Sequence, residues 1–284
     1  MDVKKLIGLG IAAASLSTFA TSIESANVVG YTTSTLEAGK YNMISIPFVS
    51  VNGGNSKLTE VLSGSNWFGH DDMNQADNIL VYNPETTEYT TYYWWEDDTH
   101  LYDGWYHQDG QTFFDDRIEN ADGIEPGWSV WYRSRGANAP VVTFSGAVDD
   151  SDDCKVTIYG GCYNMIANPY PTAFQPNADQ PWWSNNSFKK LVDWNGPVAN
   201  DDMNQADNIL VWVPTTGEYI TYYYWEDSSH LYDGWYYQNG INFFEDDPDH
   251  SEMANGLPAG SVFWYRSRAE KGNNRTITFF NPTK

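Results

Sequence analysis

Residues Asp71–Val81 read DDMNQADNILV, and residues Asp201–Val211 repeat the same eleven letters without a change. The match extends beyond them, because Asp71–Gly110 and Asp201–Gly240 are identical at 30 of 40 positions with no gap. Self-similarity of this kind is the signature of a tandem repeat. The sequence therefore predicts two copies of one folding unit.

The flanks of this block also match between the two halves. Tyr41–Phe48 (YNMISIPF) corresponds to Tyr163–Tyr170 (YNMIANPY), and WYRSR occurs at Trp131–Arg135 and Trp264–Arg268. Alternating apolar residues here, and the aromatic run Glu88–Trp95, are typical of β-strands separated by turns. The sequence predicts an all-β fold of two tandem homologous repeats, each a β-sandwich or an open barrel.

One short helix is predicted in each repeat, at Ser56–Leu62 and at Ser187–Val192, where apolar residues recur at helical spacing. The acidic tract Asp149–Asp153 is too charged to be buried and serves as the natural linker. It separates repeat 1, residues 27–148, from repeat 2, residues 154–284.

The N-terminus has the pattern of an export signal. Lys4 and Lys5 precede the apolar run Leu6–Ala14, and Thr18-Phe19-Ala20 offers a small-x-small cleavage site. The run is shorter than the roughly 20 residues that span a bilayer. We expect residues 1–20 to be removed and the mature chain, which has no predicted membrane span, to be extracellular or at the cell surface, with the periplasm as the alternative.

The charge of the chain is strongly negative. Lys and Arg number 15 against 38 Asp and Glu, which gives a net charge of -23. Such a chain repels the phosphate backbone of nucleic acids and anionic lipid surfaces, so we do not expect a nucleic acid as its partner. It favours solubility and attracts divalent cations.

Only two cysteines are present, Cys154 and Cys162, on either side of a predicted strand and a Gly-Gly turn. In an oxidising compartment the sequence predicts a disulfide between them, with free thiols as the alternative.

Acidic clusters are the candidate metal sites. Oxygen-bearing side chains crowd one loop in each repeat, and Ca²⁺ prefers about six to eight oxygen ligands. The spacing does not match an EF-hand, so solvated loops that keep the protein soluble are the competing interpretation. The candidate ligands are Asp71, Asp72, Asn74, Asp77, Asp201, Asp202, Asn204 and Asp207.

Aromatic residues beside acidic loops are the candidate carbohydrate-binding residues, since sugar rings stack on exposed aromatic rings while carboxylates bond the hydroxyls. The competing interpretation is that these rings fill the cores of small β domains. Adjacent strand residues such as Trp94 and Trp95 point to opposite faces, so one of them can be exposed when the other is buried. The candidates are Trp94, Trp95, Trp105, Tyr106, Tyr224, Trp225, Trp235 and Tyr236.

Catalytic motifs are not found. The sequence has no G-x-S-x-G and no H-E-x-x-H. With so many acidic residues, a carboxylate pair of the kind that glycosidases use carries no information by itself. His100 and His230 recur as HLYDGW, which is more typical of a turn than of catalysis. No catalytic residue is assigned.

The order VVGY at Val28–Tyr31, then GxYNMIxxP[FY], then WYRSR, then a T-F strand resembles a group of uncharacterised exported β-rich repeat proteins of environmental bacteria. This resemblance implies an exported, β-rich and non-enzymatic protein. Together with the duplication it favours a surface or extracellular-matrix protein acting by self-assembly or adhesion, with itself or extracellular glycans as partner. The alternatives are a bivalent carbohydrate-binding protein and, least favoured, a secreted glycoside hydrolase.

Overall fold

The computed structural model of the chain describes residues 29–51, 58–111, 124–170, 172–178, 180, 190–226, 232–244 and 256–284. The predicted signal segment, residues 56–57 of the first predicted helix and residues 187–189 of the second lie outside these ranges. Within them, sixteen strands form four antiparallel sheets. The predicted all-β class is confirmed.

The first half contains a three-stranded and a five-stranded sheet. Its elements are β1 Val29–Thr35, β2 Tyr41–Ser45, α1 Leu58–Val61, β3 Leu62–Ser65, β4 Asn78–Asn83, β5 Glu88–Trp95, β6 Gly104–His107, β7 Ser129–Arg133 and β8 Val141–Ala147. The sheet orders are β1-β8-β3 and β2-β7-β4-β5-β6.

The second half has the same arrangement. Its strands are β9 Asp153–Ile158, β10 Tyr163–Ala167, β11 Val192–Asp193, β12 Asn208–Val213, β13 Glu218–Trp225, β14 Gly234–Tyr237, β15 Val262–Arg266 and β16 Arg275–Phe280. The sheet orders are β11-β16-β9 and β10-β15-β12-β13-β14. When each strand is replaced by its counterpart eight places later, the topology of the first half becomes that of the second.

Within each half the two sheets pack face to face. Ile79 and Tyr132 of the five-stranded sheet lie in one core with Val142 and Phe144 of β8. The second half buries the matching set, including Ile209, Tyr265 and Phe279. Two antiparallel sheets over a shared apolar core make a β-sandwich in each half.

The other faces of the two five-stranded sheets pack against each other. Trp131 of β7 meets Trp212 of β12 edge to face, with ring centroids 5.4 Å apart. At the related position, Trp264 of β15 meets Tyr82 of β4 in the same way at 4.9 Å. The contact is therefore nearly symmetric: the same pair of positions meets twice, with the halves exchanged.

The four sheets therefore stack as layers of three, five, five and three strands. A strand in a central layer is covered on both sides, so it needs apolar side chains at successive positions. This explains the run SVWYR of β7, in which Val130 and Tyr132 face the core of their own half and Trp131 faces the other half.

Several element boundaries differ from the sequence prediction. Helix α1 ends at Val61, and Leu62 already starts β3. Val192, expected at the end of a second helix, lies in strand β11, which pairs with β16. Asp153, assigned to the linker, starts β9 and pairs with Phe280. In each case pairing with the last strand of that half prevails over the local pattern.

The expected disulfide is not formed: Cys154 and Cys162 are free and buried. Cys154 lies in β9, and Cys162 follows the turn at the far end of that strand. An extended strand advances about 3.3 Å per residue, which separates the two ends too far for an S–S bond. Burial, followed by Asp149 and Asp153, raises the pKa of the Cys154 thiol to about 12.

Helix is scarce in the described part of the chain. No helix there has the length and apolar character needed to cross a membrane.

Candidate functional site: the aromatic-acidic surfaces

Half of the predicted binding aromatics face the cores. Trp105 is 5% exposed, and Trp94 packs against it with ring centroids 5.6 Å apart. In the second half Trp235 is fully buried and meets Tyr224 at 5.4 Å. These four rings fill the sandwiches, so their first role is packing.

The remaining predicted aromatics lie on the opposite face of the same hairpins. Trp95 and Tyr106 are partly exposed and contact each other with centroids 5.6 Å apart. Trp225 and Tyr236 repeat the contact at 5.2 Å. Tyr236 is more covered, because Phe243 packs against it at 4.2 Å.

Carboxylates surround these rings. Tyr93, which lies on the same face as Trp95, has a raised pKa because of burial and then the nearby Asp109 and Asp71. Tyr106 likewise has a raised pKa, chiefly from burial, with contributions from Tyr102 and Asp103. We name this region the aromatic-acidic surface. The first copy consists of the partly exposed Trp95 and Tyr106, the buried Tyr93 and the loop Asp71–Asp77. The second consists of the partly exposed Trp225, the buried Tyr223 and Tyr236 and the loop Asp201–Asp207.

The loop itself is nearly identical in the two copies. The Oδ1 atom of Asp72 accepts from the backbone N–H of Asn74 at 2.9 Å, and its Oδ2 accepts from Gln75 at 3.1 Å. Asp202 makes the same bonds at 2.9 and 3.1 Å. Hydrogen bonds to a carboxylate favour its charged form, so the pKa of both aspartates is lowered, first by the backbone N–H.

Asp77 and Asp207 are fully buried and tie the loops to the segments that follow β7 and β15. Asp77 accepts from the backbone N–H of Phe68 at 3.0 Å and of Arg135 at 2.6 Å. Asp207 accepts from Val198 and Arg268 in the same manner, and also from the guanidinium of Arg275. Both carboxylates are therefore directed at donors of the protein itself.

The predicted calcium ligands differ in their exposure to solvent and in their hydrogen-bond partners. Asp71 and Asp201 are exposed, and Asp71 lies 2.8 Å from Nδ1 of His70. Asn74 turns its amide nitrogen toward Asp72 at 3.1 Å, as Asn204 does toward Asp202 at 3.2 Å. Calcium binding at these residues stays a prediction, with Asp71 and Asp201 as the carboxylates most open to solvent.

A second cluster lies at the end of β5. Ligand atoms of Glu96, His100 and Asp103 all fall within 4.8 Å of one another. His100 sits in a turn at φ 51°, and its ring lies 3.0 Å from Asp103. That hydrogen bond raises the pKa of His100. The turn role expected for this histidine agrees with its N–H bond to the carbonyl of Asp97 at 3.1 Å.

Sequence reasoning did not single out Tyr93 and Tyr223, which the structure places beside Trp95 and Trp225. The signal was present, because residues two apart on a strand share a face. It also did not find the contact between the two five-stranded sheets, since that depends on how the two sandwiches pack.

Comparison of the chain with protein-family models, with curated proteins and with solved structures finds no match. Its function therefore has to be argued from its own geometry. Two features bear on that question: an aromatic-acidic surface that occurs twice, and a buried interface that holds the two copies in one body.

Proposed function

We propose that this is an exported, non-enzymatic protein of the cell surface or extracellular matrix, which acts by adhesion or self-assembly through its two aromatic-acidic surfaces. The observation that carries the proposal is the nearly symmetric interface, in which Trp131 meets Trp212 and Trp264 meets Tyr82. It joins the two copies through buried aromatic side chains. Two linked binding surfaces gain avidity from their effective concentration without any new contact.

Exposed apolar side chains beside each surface support a contact role. Leu101 is 73% exposed and Tyr102 66%, and Tyr232 is 54% exposed in the second half. The carbonyl of Tyr102 accepts from the hydroxyl of Tyr106 at 3.1 Å, and Tyr232 repeats this with Tyr236 at 3.0 Å. An apolar patch with a polar rim is typical of an interaction site.

Sheet edges offer a route to self-assembly. Strand β6, which carries Tyr106, ends the order of one five-stranded sheet, and β14 ends the order of the other. The outer side of β14 already pairs through Tyr236 and Tyr237 with Phe243 and Asn242, so β6 is the edge that carries this route. The outer backbone groups of an edge strand can pair with a strand of another molecule. The carboxylates around these edges, including Asp103 and Asp109, oppose such pairing until a cation or a partner neutralises them.

Light scattering and negative-stain microscopy of the mature protein, with calcium and then with chelator, test the proposal. We expect oligomers or surface-bound protein that depend on Trp95 and Trp225. The double variant Trp95→Ala/Trp225→Ala should abolish the assembly or adhesion while keeping the circular dichroism spectrum. The control is Tyr31→Ala, which removes a ring that is 79% exposed and belongs to neither surface. Assembly unchanged in the double variant would contradict the proposal, as would hydrolase activity lost on one carboxylate substitution.

Carbohydrate binding is the second candidate, favoured by one specific observation. Trp95 and Tyr106 present two partly exposed rings 5.6 Å apart beside the carboxylate of Asp103. Rings of this kind stack on sugars while the carboxylate bonds hydroxyls. A glycan array probed with the wild-type protein and with Trp95→Ala/Trp225→Ala separates the candidates. Glycan signals lost in the variant favour a lectin-like role, and an empty array leaves self-assembly.

A further inference from the structure

A groove of about 290 Å³ runs between the two halves, away from both aromatic-acidic surfaces. The first half supplies most of its lining, including Tyr82, Glu85 and Trp128, and the second half supplies Tyr159. We call it the Trp128 groove. Its volume lies at the small end of the range of ligand pockets, so it suits a small molecule.

The turn that carries Trp128 is fixed to the second half. Trp128 donates to the carbonyl of Glu125 at 3.1 Å, which closes the turn. The backbone N–H of Ala167 donates to the carbonyl of Gly127 at 2.8 Å. Gly127 has φ 85°, and a Cβ atom there would collide with Val156. This wall of the groove is therefore built by the packing of the halves.

Three aromatic rings line the groove. The rings of Trp128 and Tyr159 approach each other edge to face, with centroids 6.5 Å apart and both partly exposed. Tyr82 is 9% exposed and contributes the ring that also packs against Trp264. Faces of Trp and Tyr rings attract cations through their quadrupoles.

Two carboxylates stand at the same groove. Glu85 and Glu125 are exposed, and neither forms an ion pair with another residue in the described parts of the chain. Burial raises the pKa of Tyr159, and the next contributions come from Glu85 and Glu125. Both negative charges therefore face the aromatic lining.

Ser129, one of the residues that line the groove, has a buried hydroxyl without a partner in the part of the chain that the structure describes. Ser129 is 4% exposed, and its Oγ has no hydrogen-bond partner among the described residues. Leaving a buried hydroxyl unbonded is unfavourable. A ligand hydroxyl would supply the missing bond.

The counterpart groove on the other side of the interface has different chemistry. It is lined by Trp212, Pro214, Leu257 and Pro258, with a volume of about 400 Å³. By the repeat alignment, Pro258 takes the place of Glu125, Ser261 that of Trp128, Val262 that of Ser129 and Glu37 that of Tyr159. Of these two grooves, only the Trp128 groove combines the rings of Trp128 and Tyr159 with two carboxylates and the hydroxyl of Ser129.

We propose that the Trp128 groove binds a small organic ammonium ion that carries a hydroxyl group, that is, an amino alcohol. Trp128 and Tyr159 contact the alkylammonium group, Glu85 and Glu125 neutralise its charge, and Ser129 bonds its hydroxyl. A neutral ligand would leave both carboxylates without a counter-charge. An anion would be repelled by them and by the net charge of -23.

Calorimetric titration of the full chain with choline, tetramethylammonium and tert-butanol tests the charge and the hydroxyl separately. We expect one choline site per chain, weaker binding of tetramethylammonium, which lacks the hydroxyl, and binding of neutral tert-butanol weaker than either by tenfold or more. Added salt should weaken choline binding. Binding of tert-butanol as tight as that of tetramethylammonium would overturn the proposal, as would no heat with either cation.

Substitutions at the groove test which residues bind the cations. Glu85→Gln/Glu125→Gln should weaken binding of both cations by about tenfold, the effect of about 1.4 kcal/mol. Glu218→Gln/Glu270→Gln removes the same charge from exposed positions outside the groove and should change binding less than twofold.

Ser129→Ala should reduce choline binding to the level of tetramethylammonium, whose own affinity stays the same. Equal effects of the two double variants, or an equal loss of both cations in Ser129→Ala, would place the site elsewhere. Because these residues lie outside the aromatic-acidic surfaces, failure here leaves the proposed function untouched.

Discussion

The hydroxyl of Tyr132 donates to the buried Oδ2 of Asp77 at 2.6 Å, and Tyr265 makes the same bond to Asp207 at 2.6 Å. Each pair joins the loop before a hairpin to β7 or β15, the second strand in the order of its five-stranded sheet. Hydrogen bonds to charged groups contribute about 1.5–3 kcal/mol to stability. The two pairs are therefore expected to anchor the repeated block in each half.

Removal of one such hydroxyl tests this role. Tyr132→Phe keeps the ring and removes one of the two donors to the buried Oδ2 of Asp77, the other being the backbone N–H of Phe68. We expect the free energy of unfolding to fall by about 1.5–3 kcal/mol. Urea denaturation followed by fluorescence measures it. Tyr31→Phe, at a position 79% exposed, is the control and should change stability by less than about 0.5 kcal/mol. Equal stability of the two variants would contradict the assigned role.

Alkaline pH should destabilise the protein through the same tyrosines. Burial, and then the charge of the neighbouring aspartate, raises the pKa of Tyr132 and of Tyr265 far above the ordinary value of 10.0. A group whose pKa is raised in the folded state favours folding below its unfolded pKa, and this contribution is lost as the pH rises above that value. We expect stability to fall above about pH 10. Ultraviolet titration should show these two tyrosines ionising only on unfolding.

The interface between the halves makes a prediction about cooperativity. Trp131 is 7% exposed and meets Trp212 of the other half. Trp131→Ala should cost about 3–5 kcal/mol and uncouple the halves. Calorimetry should then show two separate transitions where the wild type shows one. Trp95→Ala, on the outer surface, serves as the control and should retain the single transition. A single transition at the wild-type temperature in Trp131→Ala would contradict the structure.

The hairpin turns of the two halves differ at one strained position. Thr87 has φ 61°, and its counterpart Gly217 has φ 74°. Positive φ suits glycine and is unfavourable for a β-branched residue. Gly217→Thr should therefore lower stability by about 1–2 kcal/mol, whereas Thr87→Gly should be neutral or stabilising. Thermal melts of the two variants measure this, and equal destabilisation in both would disagree with the turn geometry.

The cysteines should behave as protected thiols. The pKa of Cys154 is raised to about 12, so almost no reactive thiolate is present near neutral pH. We expect a thiol reagent to leave both cysteines unmodified in the native protein and to label both after unfolding. Mass spectrometry without reductant provides the check, since a Cys154–Cys162 disulfide would prevent labelling even in denaturant.

How much of this structure the sequence predicts depends on the scale of the feature. Strand β5 is predicted with its observed ends, Glu88 and Trp95, because turn residues lie on both sides of the aromatic run. The two-residue period of a strand correctly places Trp94 and Trp95 on opposite faces of the sheet. It cannot say which of these faces another sheet covers. That depends on the three-stranded sheet, whose strands come from distant parts of each half.

Other features depend on packing that no local pattern reveals. Asp77 looks like a loop carboxylate in the sequence, yet Tyr132 and Arg135 enclose it from 55 and 58 residues away. The Trp128 groove needs Tyr159 of the other half. Strand β9 begins inside the acidic tract, because its pairing with β16 outweighs the charge of Asp153.

The symmetric interface affects how the protein behaves on dilution and how the sequences of its two halves can come to differ. In a homodimer the corresponding contact would dissociate at low concentration, and every substitution would appear on both sides. Here one chain carries both partners, so the contact is independent of concentration. The two grooves beside it are also free to differ. Position 128 can carry Trp while the equivalent position 261 in the other half carries Ser. One groove can therefore acquire a binding site without any change in the other groove.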